Sequence, residues 1–227
     1  MARSLSLALA VVSLTGGSLW LAPSRAAAQS DEEHLRLAPR AYVQGQLGLF
    51  GDVRLQSEDV EGTDALDPSG GAVIGFEVPL ANVFSLGAEL GGWGWNSQRG
   101  DHYDIGPSFL GDLSIVPRVR VPWASASGSH GAVGLAVPVG PTLSVLNEDI
   151  RDGLEAFGAS ANTGAGLNVG ALLNVQIFFI PSFGLTFDAG YQHHFLWHQV
   201  TGPLGGSHEV RFDMGQLVVR GGVIVAF

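Results

Sequence analysis

The sequence predicts an all-β protein built from eight antiparallel strands. From residue 41 onward, apolar residues alternate with small or polar residues in segments of roughly nine to fifteen residues, which is the period of a strand. Glycine supplies 33 of the 227 residues, and 46% of the residues are apolar while only 14% are charged. This composition disfavours disorder, coiled coils and ordinary soluble helix bundles.

The eight segments share one arrangement, with larger apolar side chains on one parity and small or polar side chains on the other. In the sixth segment, for example, Leu167 and Leu173 alternate with Asn168 and Asn174. We place the segments at residues 41–49, 72–78, 84–90, 109–120, 133–140, 165–175, 183–191 and 217–227.

Residues 1–28 are predicted to be a cleavable signal peptide. Arg3 precedes an apolar run at residues 5–14, and the alanines at 26–28 match the small residues that signal peptidase cuts after. The alternative is a membrane anchor, but the run is shorter than the roughly 20 residues that a membrane-spanning helix needs. We therefore expect export, with an N-terminal periplasmic segment at 29–40 and a single domain at 41–227.

Charge and cysteine usage exclude several classes of partner and chemistry. The chain has 11 basic residues, all arginine, against 21 acidic residues, and its formal net charge is −10. A nucleic-acid partner is therefore not expected. Since there is no cysteine, disulfides, thiol catalysis and cysteine metal sites are excluded.

Two architectures fit the alternation: a soluble sandwich with its apolar face inward, or a membrane barrel with its apolar face outward. Connections after the second and sixth segments are short (79–82 and 180–182), and 123–130 is an imperfect third; those after the first, third, fifth and seventh run about ten to twenty residues. Glycine is frequent on the non-apolar parity, and large aromatic residues lie near segment ends at Trp93, Trp95, Trp123, Phe178, Phe179, Tyr191 and Trp197. Together these features favour an eight-stranded antiparallel transmembrane β-barrel.

The last segment ends VVRGGVIVAF, with Val219, Val223, Val225 and Phe227 on one parity. With the leader and the eight segments, it resembles the small eight-stranded outer-membrane β-barrel proteins of Gram-negative bacteria. The resemblance implies an outer-membrane location, contact with outer-membrane lipids and lipopolysaccharide, and folding by the barrel-assembly machinery with Phe227 as its signal. Because this fold hosts unrelated functions, the resemblance does not assign one.

Two connections carry candidate features. Residues 51–70 are rich in carboxylates, among them Asp59, Glu61, Asp64 and Asp67; a calcium or magnesium site is one interpretation, but the spacing lacks an EF-hand pattern, and we favour a solvated surface loop. Residues 147–157 predict a short amphipathic helix that covers the barrel mouth rather than binding a partner.

Histidines gather late in the chain, at His193, His194, His198 and His208. A lipid-modifying barrel enzyme needs a histidine beside a nucleophilic serine and an orienting carboxylate. No serine lies beside the first three, and Ser207 occupies a glycine-rich stretch. We therefore expect these histidines in loops near an aromatic interface, and no catalytic residues.

The polar parity predicts a cluster inside the barrel formed by Glu89, Asp112, Asp188 and Arg220. Pairing about a loop centred near residue 100 places Glu89 opposite Asp112, and pairing about residue 204 places Asp188 near Arg220, to within about two residues. Facing carboxylates require a proton or a cation between them. Arg220 is the expected counter-charge, because Arg118 and Arg120 are expected nearer the periplasmic end.

The sequence therefore predicts an outer-membrane β-barrel with a largely plugged lumen, no cofactor and no enzymatic activity. Its role is structural or interactive, or limited to the passage of small solutes, with specificity in long outer loops whose ligand no motif reveals. The alternatives are a membrane-embedded lipid A-modifying enzyme and a soluble exported β-sandwich that binds a ligand.

Overall fold

The computed structural model describes residues 38–57, 61–94, 107–125, 129–146, 148–161 and 163–227. The predicted signal peptide lies outside this part of the chain. The described residues form strands β1 (Arg40–Gln56), β2 (Glu61–Ala65), β3 (Ser69–Ala81), β4 (Phe84–Gly94), β5 (Pro107–Ala124), β6 (His130–Ala136), β7 (Val139–Leu146), β8 (Thr163–Ile180), β9 (Phe183–Thr201) and β10 (Ser207–Ala226), with helix α1 (Glu148–Ala156) between β7 and β8.

The strands close into an antiparallel ring. Each of β3, β4, β5, β8, β9 and β10 pairs with its ring neighbours, and β1 pairs with both β3 and β10. The strands β6 and β7 share one place between β5 and β8, so the ring has eight positions, as predicted. The break falls at Val137 and Pro138, where the ladder still continues: Val137 N donates to Pro117 O (3.0 Å) and Gly170 N donates to Pro138 O (2.9 Å).

The described parts of the acidic connection at residues 51–70 differ from the predicted surface loop, and the candidate residue Asp59 lies outside them. A bulge between Gly48 and Gly51 shifts the register of β1, which then extends to Gln56 and pairs with β2 as a hairpin. Before the bulge, even-numbered residues of β1 face inward. The bulge reverses this parity, so the odd-numbered Val53 is buried. The alternation read at 41–49 could not extend across this shift. On the hairpin, exposed Arg54 forms an ion pair with Glu61.

The two ends of the barrel differ as predicted, with one correction. Tight turns join β3 to β4 and β8 to β9, whereas α1 lies in the long connection between β7 and β8. The prediction of about ten to twenty residues after the seventh segment was wrong, because β9 extends to Thr201 and only residues 202–206 join it to β10. By the usual asymmetry of outer-membrane barrels, the tight turns mark the periplasmic end and the long connections the outer end.

Burial confirms that the barrel is inside-out relative to a soluble protein. Polar residues on the inward parity, such as Asn168 and Asn174, are 0–2% exposed, whereas Leu167 and Leu173 on the same strand are 52% and 56% exposed. The same holds around the ring, where exposed apolar side chains include Val43, Leu47, Ile74, Leu90, Leu113, Ile115, Val119, Leu135, Phe187, Val219 and Val223. Such a surface requires an apolar solvent.

Of the described helices, none has the length and apolar character needed to cross a membrane.

Candidate functional site: the barrel lumen

The lumen of the described barrel holds four buried arginines and four buried carboxylates. The arginines are Arg40, Arg118, Arg120 and Arg220, and the carboxylates are Glu77, Glu89, Asp112 and Asp188. Each is at most 6% exposed. Equal numbers of opposite charges allow every ion to be compensated inside the lumen, which buried charges require.

At the periplasmic end, three arginines surround one carboxylate, and we call Glu77, Arg40, Arg118 and Arg120 the inner cluster. Arg120 Nη1 donates to Glu77 Oε1 (2.5 Å), and Nη1 of Arg40 and of Arg118 lie 3.8 and 3.6 Å from the carboxylate oxygens. Gln176 Nε2 also donates to Glu77 (3.0 Å). All three guanidinium groups lie next to the Glu77 carboxylate, which is 0% exposed. Glu77 is therefore their shared counter-charge.

Further out, Glu89 is the centre of a second group, the central cluster of Glu89, Arg118, Arg220 and Tyr42. Arg118 Nη2 donates to Glu89 Oε1 (2.7 Å), Arg220 Nη1 donates to Oε2 (2.9 Å), and Tyr42 Oη donates to Oε1 (2.6 Å). Since Arg118 contacts both Glu77 and Glu89, it links the inner and central clusters.

Two carboxylates are held mainly by neutral donors. Asp188 accepts hydrogen bonds from Gln44 Nε2 and Asn174 Nδ2, both 2.6 Å long. Asp112 accepts from Thr142 Oγ1 (2.6 Å) and Trp93 Nε1 (3.0 Å), and His194 Nε2 lies 3.0 Å from its Oδ2.

The structure brings part of the predicted cluster together. Arg220 contacts Glu89, and Asp188 lies opposite Arg220 in the β9–β10 ladder. However, Glu89 lies opposite Ser114, while Asp112 lies opposite Gly91, so the predicted Glu89–Asp112 pairing is off by two residues. Asp112 therefore occupies a separate, outer site with its own donors, and the two carboxylates do not face each other.

The predicted cluster omitted five members of the inner and central clusters, namely Glu77, Tyr42, Arg40, Arg118 and Arg120. Arg118 lies nearer the periplasmic end on β5, as expected, but its long side chain spans the distance to Glu89. Glu77 follows the polar parity of the second segment, and that signal was available. The pairing of each arginine with its carboxylate could not be predicted, because contacts across the lumen depend on barrel tilt and stagger.

The expected loop placement of the histidines was wrong. His193, His194 and His198 lie on β9, whose alternation continues past residue 191, so that His194 and His198 face inward and are 0% exposed. His208 lies at the outer start of β10. The predicted strand ended too early, at residue 191, and for that reason these histidines were expected in a loop.

One of these histidines lies close in space to a serine that is distant from it in sequence. Ser144 Oγ of β7 lies 2.7 Å from His198 Nε2. Both side chains are 0% exposed, and His198 Nδ1 has no hydrogen-bond partner within the described chain. A nucleophilic triad requires a carboxylate at that second nitrogen, so the pair lacks the orienting group on which hydrolysis depends.

Above Asp112, apolar side chains pack against one another inside the barrel. Trp93, Leu110, Leu196, Phe212 and Met214 belong to one packed group and are each at most 2% exposed. Along β9, inward positions run from His198 through Leu196 to His194, which places this apolar layer between the outer mouth and the Asp112 site.

The helix predicted at residues 147–157 is present as α1 at Glu148–Ala156. Its Leu154 packs against the apolar layer, as a mouth-covering helix should, whereas Phe157 just beyond it is 82% exposed. Across the described ranges, no group of three histidine or carboxylate side chains is arranged to hold a metal ion.

The closed ring, the outward apolar belt and the polar lumen together define a class of protein. Only helices and closed barrels satisfy their backbone hydrogen bonds within a bilayer, and a barrel with this inside-out pattern spans it. The chain is a transmembrane β-barrel of the type that occupies Gram-negative outer membranes.

Solved structures similar to this chain include the outer membrane protein OprG from Pseudomonas aeruginosa (12% identity, 84% of this chain and 96% of that chain, TM-score 0.46) and Neisserial surface protein A (15%, 82% and 97%, 0.38). The outer membrane protease OmpT from Escherichia coli is also similar (8%, 84% and 97%, 0.39). No family model and no curated protein sequence matches.

Proposed function

We propose that this protein is a closed-lumen outer-membrane barrel with a structural or interaction role, rather than a channel or an enzyme. The observation that carries the proposal is the lumen itself, in which four arginines and four carboxylates compensate one another beneath an apolar layer. An eight-stranded barrel is only wide enough for its own side chains.

Passage of a solute through this lumen requires breaking the contacts that hold its charges. Glu89 alone accepts three hydrogen bonds from side chains of β1, β5 and β10, so it ties together strands on different sides of the ring. Leaving any of these ions uncompensated in a water-poor interior is costly. The network therefore favours rigidity over permeation.

The outer end supports the interaction role. Phe157, beyond α1, and Leu204, in the β9–β10 turn, are 82% and 99% exposed. A two-strand bridge between Ser160 and Thr201 fastens the α1 connection to the end of β9. Phe157 on this connection and Leu204 in the neighbouring turn are therefore exposed apolar side chains on anchored segments. Such side chains are suited to contact another envelope component.

Ion conductance across a planar bilayer tests the closed lumen. We expect the wild-type protein to show no steady conductance above background, with a large porin as positive control. The double variant Glu89→Ala/Arg220→Ala, which removes a buried ion pair without changing net charge, should raise ion leak. The variant Arg54→Ala/Glu61→Ala removes an exposed pair instead and should not. A steady wild-type conductance would contradict the proposal.

We further propose that Phe227 is read by the barrel-assembly machinery, as the resemblance implies. Phe227 lies on the outer face, 66% exposed, with its ring 6.0 Å from that of Phe76. Replacing it with aspartate should lower the amount of heat-modifiable barrel in outer-membrane fractions while export continues. The matched variant is Phe179→Asp, since Phe179 is 56% exposed near the same end. Equal losses would show that Phe227 is only a lipid-facing aromatic.

A further inference from the structure

A cavity of about 240 Å³ lies at the outer end of the barrel, above the apolar layer. Its walls come from β1, β7, α1, β9 and β10, and six of the eight lining side chains are apolar, among them Leu55, Leu154 and Val210. The two polar lining residues are Ser57 and His198. None of the lining side chains carries a permanent charge.

His198, which lines this cavity, has one hydrogen-bonding atom without a partner among the described residues. The Nε2 edge of its ring packs against Gly164 of β8, where a Cβ atom would lie 2.5 Å from Nε2, and the same Nε2 contacts Ser144. Glycine at 164 is therefore needed for the ring to occupy this position. The remaining nitrogen, Nδ1, is buried and has no hydrogen-bond partner among the described residues.

We propose that this cavity binds a small, uncharged, largely apolar molecule that carries one hydrogen-bonding group, such as a phenol or a short alcohol. Burial of hydrocarbon against the apolar walls is favourable, and the absence of a charged lining residue disfavours the binding of ions. His198 Nδ1 pairs with the ligand's hydroxyl group once the ring turns toward the cavity, because a buried polar atom without a partner is costly.

The cavity volume sets the size of the ligand. An engineered apolar cavity of about 150 Å³ holds benzene, so by proportion 240 Å³ accommodates about ten non-hydrogen atoms. Phe212 contacts the His198 ring edge-on, 5.3 Å between ring centres, and belongs to the layer that separates the cavity from the Asp112 site. The cavity is therefore a binding site at the outer mouth rather than the entrance to a pore.

Titration of the full chain in lipid nanodiscs with 1-naphthol tests the proposal, with empty nanodiscs subtracted. Binding is followed by NMR shifts of the His198 ring and of residues around the cavity. We expect saturable binding to the wild type, and about fivefold weaker binding of 1-methylnaphthalene, which fills the same space without the hydroxyl group. In His198→Leu, the two probes should bind about equally.

A second pair of variants keeps the test independent of His198. Val210→Trp places a large ring in the cavity wall and should weaken 1-naphthol binding at least tenfold. Leu204→Trp adds the same ring to the fully exposed β9–β10 turn and should leave binding unchanged. Binding that Val210→Trp does not reduce, or that matches empty nanodiscs, would overturn the proposal. So would an unchanged preference for 1-naphthol in a folded His198→Leu variant.

Discussion

Replacing Glu77 with glutamine is expected to lower the free energy of unfolding by about 3 to 5 kcal/mol, the largest loss of any single change considered. The substitution keeps the size of the side chain but removes the charge that faces three guanidinium groups. Urea unfolding of the barrel in lipid vesicles, followed by tryptophan fluorescence, measures the loss.

A rescue variant distinguishes charge balance from misfolding. Adding Arg120→Met to Glu77→Gln leaves three buried arginines and three buried carboxylates, and should recover part of the lost stability. The control is Glu61→Gln, because Glu61 and its partner Arg54 are 60% and 49% exposed and such pairs contribute under about 1 kcal/mol. Equal effects of Glu77→Gln and Glu61→Gln would refute the inner cluster as a source of stability.

The second large effect is expected at the outward face of β8. Leu173 lies near the middle of the strand, 56% exposed, opposite Leu135 and Ala189 in the ladder. If this face meets the hydrocarbon core, Leu173→Arg destabilises the inserted barrel by about 2 to 4 kcal/mol. The measurement is the urea midpoint of folding into lipid vesicles.

The chain offers a matched control for this change. Leu204, in the β9–β10 turn, is 99% exposed, so Leu204→Arg makes the same substitution where water is expected. The midpoint of this variant should stay close to that of the wild type. Equal tolerance at both positions would mean that the exposed apolar face of β8 does not contact lipid.

Much of the fold could be predicted because alternation is a local property of the chain. One parity at residues 165–175 was enough to predict which side of β8 is exposed, and Leu167 and Leu173 are outward as expected. The helix at α1 was also predictable, since its apolar spacing lies within a few turns. The β1–β2 hairpin was not, because the bulge at Gly48–Gly51 breaks the alternation that reveals a strand.

The candidate site was less predictable because its contacts cross the lumen. The network joins residues far apart in sequence, such as Tyr42 with Glu89 and Ser144 with His198. A register error of two residues was enough to place Asp112 opposite Glu89, although it belongs to the site with His194. The alternation predicted a polar interior, while the identity of each partner depends on stagger and on side-chain length.

The most direct test of the inside-out barrel is a spin-label accessibility measurement in lipid vesicles. The chain contains no cysteine, so single labels can be placed at Leu167, Leu173 and Leu204 without other changes. The account predicts that labels at 167 and 173 collide often with oxygen, which dissolves in lipid, and rarely with a water-soluble nickel complex, whereas the label at 204 shows the reverse. High nickel accessibility at 167 and 173 would contradict it.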